Sequence, residues 1–268
     1  MTEADVRSLA HAPASEVRAL IREGKLCAPT AGLSLGYAQA NMIVLPKDWA
    51  YDFLLYAMRN PKPCPILDVT EVGDPEPRLV APGADVRTDI PRYRVWENGA
   101  LVAEPTDVKE FWRDDLVAFL IGCSFSFENA LMNAGIGVRH IEENTNVPMY
   151  LTNVPCISAG RFSGNMVMSM RPLKPEQVVR AVTCTASMPA VHGAPMHVGD
   201  PSVIGVRDIN KPEFGDPPII REGEVPVFWA CGVTPQAAVM QSRPPFAITH
   251  HPGHMFITDK RDCDYSIF

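Results

Sequence analysis

The sequence predicts a mixed α/β (α+β) fold: a single domain over residues 1–268 with a mixed sheet, organised as two merged, pseudo-repeated halves. Three observations carry that expectation. A chain of 268 residues lies near the upper end of what one hydrophobic core supports. Segments with helical spacing alternate with short apolar runs, but without the regular alternation of a doubly wound sheet. An apolar run, a tight turn and a helical segment occur in that order twice, in DLVAFLIGCSFSFENALMNAG (115–135) and in EVPVFWACGVTPQAAVMQS (224–242). Aligning Phe119 with Phe228 superposes the two units.

The elements follow in order. Ser15 is placed to cap a helix whose face carries Val17, Leu20 and Ile21, and Gly24 ends it. A second helix opens after Pro46 with Trp49, Phe53, Leu54, Tyr56 and Ala57 mostly on one side, and Asn60-Pro61 closes it. The proline-dense stretch from Pro61 to Pro91 reads as short strands on stiff loops, interrupted by Ile66-Leu67 and Leu79-Val80. Two alternating runs flank Asn98-Gly99, a strong hairpin signal because both residues accept positive φ. Thr106 caps a short helical segment, DVKEFWRDD. The first of the repeated units comes next, with its helix ending at Gly135. Asn146 to Pro172 reads as a loop presenting polar groups among small residues. Pro175 opens a helix through Val178 and Val182, and Thr234-Pro235 opens the helix of the second unit.

Charge and cysteine usage narrow the function classes. The formal net charge is -7 and no run of Lys or Arg exceeds two residues, which excludes the basic footprint a nucleic-acid partner needs. No apolar run approaches the roughly 20 residues of a spanning helix, and the first residues lack the pattern of a signal peptide. The seven cysteines are dispersed with no C-x-x-C pair, as expected of free thiols in a cytoplasmic protein. A homo-oligomer is compatible with all of this.

Five of the seven histidines fall in two strings rich in Gly and Pro, HGAPMHVGDP (192–201) and ITHHPGHMFITD (248–259). Imidazole moves protons near neutrality, and loops of this composition bring side chains together from separate elements. His192, His197 and His254 are therefore candidate acid–base groups, with turn-fixing hydrogen bonds as their ordinary alternative. His250, His251 and His254 with Asp200 and Asp259 could complete a metal site, but no spacing demands one, so the expectation is no cofactor. Glu128 lies in the first turn of the first unit's helix and is read either as a proton carrier or as a complement to the helix dipole. The turn amides near Ser124, Gly232 and Thr234 suit a carboxylate or a developing oxyanion. Asn153 and Arg161 come from the polar stretch. Arg161, flanked by Gly160 and Gly164, is favoured over Arg171 as a carboxylate anchor. His11 reads as solvated and His140 as structural. Cys123 and Cys231 sit at matching turns and suggest a two-thiol racemase as a rival reading.

Six strings, GCSFSFENAL, NVPMYLTNVPC, FSGNMVMSMRP, HGAPMHVGDP, FWACGVTPQ and THHPGHMFITD, resemble in order the hydro-lyase family that includes D-glutamate cyclase. The resemblance runs from about Ala28 to Asp259. His251 stands where the family has Ala, so no role is carried over to it. The resemblance implies a carbon–oxygen lyase acting on a small amino or hydroxy acid, with D-glutamate closing to 5-oxo-D-proline and water as the concrete reaction. A small-molecule carboxylic acid is then the partner, with Arg161 as its anchor, turn amides near Ser124 or Gly232 on the oxyanion, and Glu128 and one of the histidines as acid and base. The rivals are the Cys123/Cys231 racemase, a metal-dependent hydratase, and a binding protein that turns nothing over.

Overall fold

A computed structural model describes residues 3–267. Two short helices come first, α1 (Glu3–Ser8) and α2 (Ala14–Arg22), followed by β1 (Tyr37–Pro46), α3 (Lys47–Arg59), β2 (Ile66–Val69), β3 (Tyr93–Glu97) and β4 (Ala100–Ala103). Then come β5 (Leu116–Gly122), α4 (Phe125–Asn133), α5 (Arg139–Glu142), β6 (Met149–Pro155), β7 (Asn165–Leu173) and α6 (Pro175–Ala186). The chain continues through β8 (His197–Val198), β9 (Val225–Ala230), α7 (Thr234–Ser242), β10 (Ala247–His250) and β11 (Phe256–Arg261). Among these residues no helix is long and apolar enough to cross a membrane.

The mixed α and β content is as expected, but the strands form two antiparallel sheets in place of one mixed sheet. The first has the order β2-β5-β1-β10-β3-β4, with β11 also on β1; the second is β6-β7-β9-β8. Every residue of β5 is buried, since it lies between β2 and β1 with both faces covered, which is why its sequence is continuously apolar. The Asn98-Gly99 hairpin forms, both residues at positive φ. Three local expectations change. Pro13, not Ser15, precedes the first turn of α2. After Thr106 only a 3-10 turn forms, Lys109–Phe111, with Val108 buried and Phe111 and Trp112 packed against the core of the first sheet. The polar stretch 146–172 is mostly the β6–β7 hairpin, whose Met166, Met168 and Met170 face the core while Asn153 and Asn165 face out.

Helices α3 and α7 lie between the sheets. Phe53 and Tyr56 of α3 and Val239 of α7 pack with Ile43, Leu45, Phe119 and Ile121 of the first sheet and the three methionines of the second. Side chains of this size are each worth about 1.5–3 kcal/mol when fully buried. On the far face of the second sheet, Phe127 and Leu131 of α4 join Ala181 of α6 over Leu173, Val227 and Trp229. Thus α4 leaves a strand of the first sheet and covers the second, and the chain then adds β6 to that second sheet. After α7 the chain returns β10 and β11 to the first.

The two strand–turn–helix units are built by the same hydrogen bonds. Cys123 N–H donates to Gln39 O and Cys231 N–H to Val167 O, both at 3.0 Å; Ser126 N–H reaches Cys123 O at 3.1 Å and Thr234 N–H reaches Cys231 O at 3.0 Å. Gln39 N–H donates to Ser126 Oγ at 2.9 Å, and Val167 N–H to Thr234 Oγ1 at 3.0 Å. Cys123 therefore corresponds to Cys231, which moves the sequence alignment by one residue and matches Phe119 with Val227.

Candidate active site

Glu128 enters the interior on the first turn of α4, just past the Gly122-Cys123-Ser124 turn. The turn tolerates no bulk. A Cβ on Gly122 would lie 2.0 Å from Ala190 O, and one on Gly232 would lie 2.0 Å from Asn41 Nδ2. That same Asn41 Nδ2 donates to Gly122 O at 3.0 Å, so one β1 side chain bonds the first turn and packs against the second.

The Glu128 carboxylate is 1% exposed. Its Oε1 accepts from Arg171 Nε at 3.0 Å and from Arg171 Nη2, and lies 3.0 Å from His140 Nε2. The imidazole contact has ion-pair distance without the alignment of a full hydrogen bond. Arg171 also donates to Ser124 Oγ at 3.0 Å and to Ser169 Oγ at 3.1 Å, and its guanidinium lies over Phe127 and Trp229. Burial alone would raise the Glu128 carboxyl; His140 and Arg171 outweigh it and hold the group below the ordinary carboxylate range. Glu128 is thus a carboxylate at neutral pH, and its Oε2 has no hydrogen-bond partner.

His140 connects this buried charge to space. It lines a hollow of about 500 Å³ whose walls include Ala31, Gly32, Leu33, Thr145 and Asn146. Asn146 is pinned there by donating Nδ2 to Pro252 O at 3.1 Å, and its buried Oδ1 has no partner.

The candidates read from the sequence divide. Glu128, Ser124 and the turn glycine Gly232 belong to the interlocked turns. His192 flanks them: it is buried, at φ 82°, and donates Nδ1–H to Lys62 O at 2.8 Å. Burial pulls its pKa down to about 4, so it is neutral near pH 7, and Nε2 has no partner. A non-Gly residue in the left-handed region is a strained backbone that its surroundings must hold. Thr234 is consumed by its strand-to-turn bonds.

The others lie elsewhere. Arg161 is exposed, bonded to Asp52 and Asp48 O and stacked 4.1 Å over Trp49, so it is held by α3 and does not anchor a ligand beside Glu128. Asn153 is exposed and donates to Val203 O at 3.4 Å. His197 lies on the edge strand β8, with Nε2 2.7 Å from Asp200 O. His254 and His251 meet Nδ1 to Nδ1 at 3.2 Å across their own turn. Burial, with His251 next, pulls His254 down to about 4. His250 accepts Met42 N–H at 3.1 Å where β1 changes partner from β10 to β11, a ladder-repairing role. Among the described residues no group of three or more His, Cys, Asp or Glu could hold a metal. Cys123 and Cys231 share one apolar cluster, and burial pushes both thiols up, Cys231 to about 11.

Sequence reasoning missed His140 as a partner of Glu128 and ranked Arg171 below Arg161. The signal for Arg171 was present in its place on an otherwise apolar strand, where a guanidinium demands a buried counter-charge.

Residues 117–259 match the D-glutamate cyclase family. The chain is 64% identical over 248 residues to a protein of Thermoanaerobacter pseudethanolicus, covering 92% of this chain and 94% of that one. It is 62% identical over 247 residues to YcsI of Bacillus subtilis, covering 92% and 96%. A protein of Psychrobacter arcticus is 58% identical over 259 residues, covering 97% and 98%. Each carries the name "Putative hydro-lyase". Among solved structures, a nitrogen repressor-like protein of Methanococcus jannaschii aligns over 83% of this chain and 88% of its own at 8% identity, with a TM-score of 0.38.

Proposed function

The chain belongs to the D-glutamate cyclase family, and from that premise we propose that it is a hydro-lyase that removes water from a small amino or hydroxy acid, with D-glutamate closing to 5-oxo-D-proline as the specific reaction. The observation that supports this reading is the Glu128 carboxylate set against His140 where His140 forms the wall of the 500 Å³ hollow. Ring closure joins the α-amine nitrogen to the γ-carboxyl carbon and expels one carboxyl oxygen as water. The α-ammonium must lose two protons, and the departing oxygen of the γ-carboxylate must gain two to leave as water. In this reading the imidazole of His140 carries protons from the amine to that oxygen, and the Glu128 carboxylate orients the ring. Asn146 and the small residues Ala31 and Gly32 confine the acid, replacing chain freedom with a folded conformer. Arg161 has no part in it.

The two thiols favour one alternative. Cys123 and Cys231 occupy corresponding turns in one cluster, as a two-base racemase would require, yet burial disfavours the thiolate such a reaction needs.

The test is a panel of D- and L-amino and hydroxy acids incubated with the purified chain and followed by mass for loss of one water. Glu128→Gln and His140→Ala are each expected to lower turnover by about 100-fold or more, while Arg161→Ala stays within a few-fold and chelation changes nothing. Dehydration that survives both substitutions, or solvent-deuterium exchange without mass loss, overturns the reading. An acid bound tightly and recovered unchanged would make the chain a binder.

A further inference from the structure

The ionic set around Glu128 has an uncharged counterpart in the same chain. The shared hydrogen bonds that match Cys123 with Cys231, Ser126 with Thr234 and Gln39 with Val167 carry the correspondence along each element. Ser124 then matches Gly232, Glu128 matches Gln236, Ser169 matches Asn41 and Arg171 matches Ile43. All eight residues are buried. In the charged position Arg171 binds Glu128, Ser124 and Ser169. In the neutral one Gln236 donates Nε2–H to His250 O at 2.7 Å, Asn41 packs on Gly232, and Ile43 occupies the place of Arg171 in the central cluster. Each first-turn side chain keeps one oxygen without a partner, Oε2 of Glu128 and Oε1 of Gln236.

The fold closes this position once without charge. A buried ion pair is itself a weak stabiliser, because desolvation offsets most of its attraction, and apolar replacements of similar volume are often tolerated. A guanidinium and a carboxylate kept at the other position therefore call for a role beyond packing. We propose that Arg171 is a positioning residue that holds the Glu128 carboxylate on His140, at one of two corresponding interior positions of an internally duplicated chain, the other of which is neutral. The inference rests on the Glu128–His140 reading for its purpose, but its test separates from that reading.

Three variants of the full chain decide it: Arg171→Ile, Arg171→Lys, and Glu128→Gln combined with Arg171→Ile. The double variant reproduces the Gln236/Ile43 pairing and is expected to melt within about 5 °C of wild type, with dehydration lost. Arg171→Ile alone leaves Glu128 with His140 at 3.0 Å and the Cys123 thiol nearby as its titratable neighbours among the described residues. It is expected to melt well below wild type near pH 8, the gap narrowing toward pH 5. The sign follows from linkage. In wild type the depressed carboxyl contributes stability above the ordinary carboxylate range, lost as pH falls through its folded value; without Arg171 burial raises that folded value, and protonation relieves the penalty. Arg171→Lys keeps the charge without the fork, so it should keep the wild-type direction of the pH dependence while turnover falls at least 10-fold. A double variant that does not fold, or an Arg171→Ile gap independent of pH, overturns the inference. If the wild-type chain dehydrates nothing, the functional reading falls, while the melting curves still report whether Arg171 governs the charge of Glu128.

Discussion

At the scale of single residues, burial sets what each titratable group can do. His192 illustrates it. Its ring is neutral near pH 7 because desolvation draws the pKa from 6.5 to about 4. The unfolded chain therefore binds a proton there that the folded chain refuses, so stability is lost as pH falls from about 6.5 to about 4, by roughly 3 kcal/mol from this one group. His192→Asn suits the positive φ and removes the titration. Urea unfolding of that variant at a series of pH values is expected to give a shallower acid-side slope than wild type; an unchanged slope would mean that His192 is solvated. The same principle explains why Arg171 outranks Arg161. An exposed guanidinium next to Asp52 is already satisfied, and its exposure marks it as peripheral. Flanking glycines suggested an accessible loop, which is where Arg161 is, but accessibility did not bring it to the carboxylate.

At the scale of elements, much was legible. The helix after Pro46, the Asn98-Gly99 hairpin, the helix opened by Pro175 and both strand–turn–helix units follow from capping, turn chemistry and apolar spacing. Those signals are local, and so survive without tertiary information. β1 was not legible. Its Gln39 and Asn41 interrupt the apolar run, yet both are buried because their side chains satisfy backbone carbonyls of loops and turns: Gln39 Nε2 donates to Thr30 O and Leu33 O, and Asn41 Nδ2 donates to Gly122 O. The Glu128–Arg171 contact joins residues far apart in the chain, so no local period announces it. The turns themselves make a prediction. Gly122→Ala and Gly232→Ala each force a methyl group into occupied space, against backbone at Gly122 and against the Asn41 amide at Gly232. Each should cost about 1–3 kcal/mol, measured from denaturation midpoints. Gly122→Ala should be the worse, since a carbonyl in the main chain yields less than a side-chain amide.

At the scale of the whole molecule, the chain binds its two sheets by passing elements between them. The helix and strand that follow β5 serve the second sheet, and the strands that follow α7 return to the first. Neither half possesses a complete sheet from its own stretch of sequence, so neither is expected to fold in isolation. If the chain were nicked in the surface loop around residues 157–161, the amino-terminal piece would carry β6, an edge the remainder lacks, and the carboxy-terminal piece would carry β10 and β11, which the first sheet lacks. Two such fragments, each unstructured alone by circular dichroism, should therefore find one another when mixed and regain helical signal at one-to-one stoichiometry. What holds them would be mutual debt: one fragment keeps the other's missing edge strand, the other keeps the strand that joins β1 to β3, and reassembly would bring Glu128 of one piece back against Arg171 of the other.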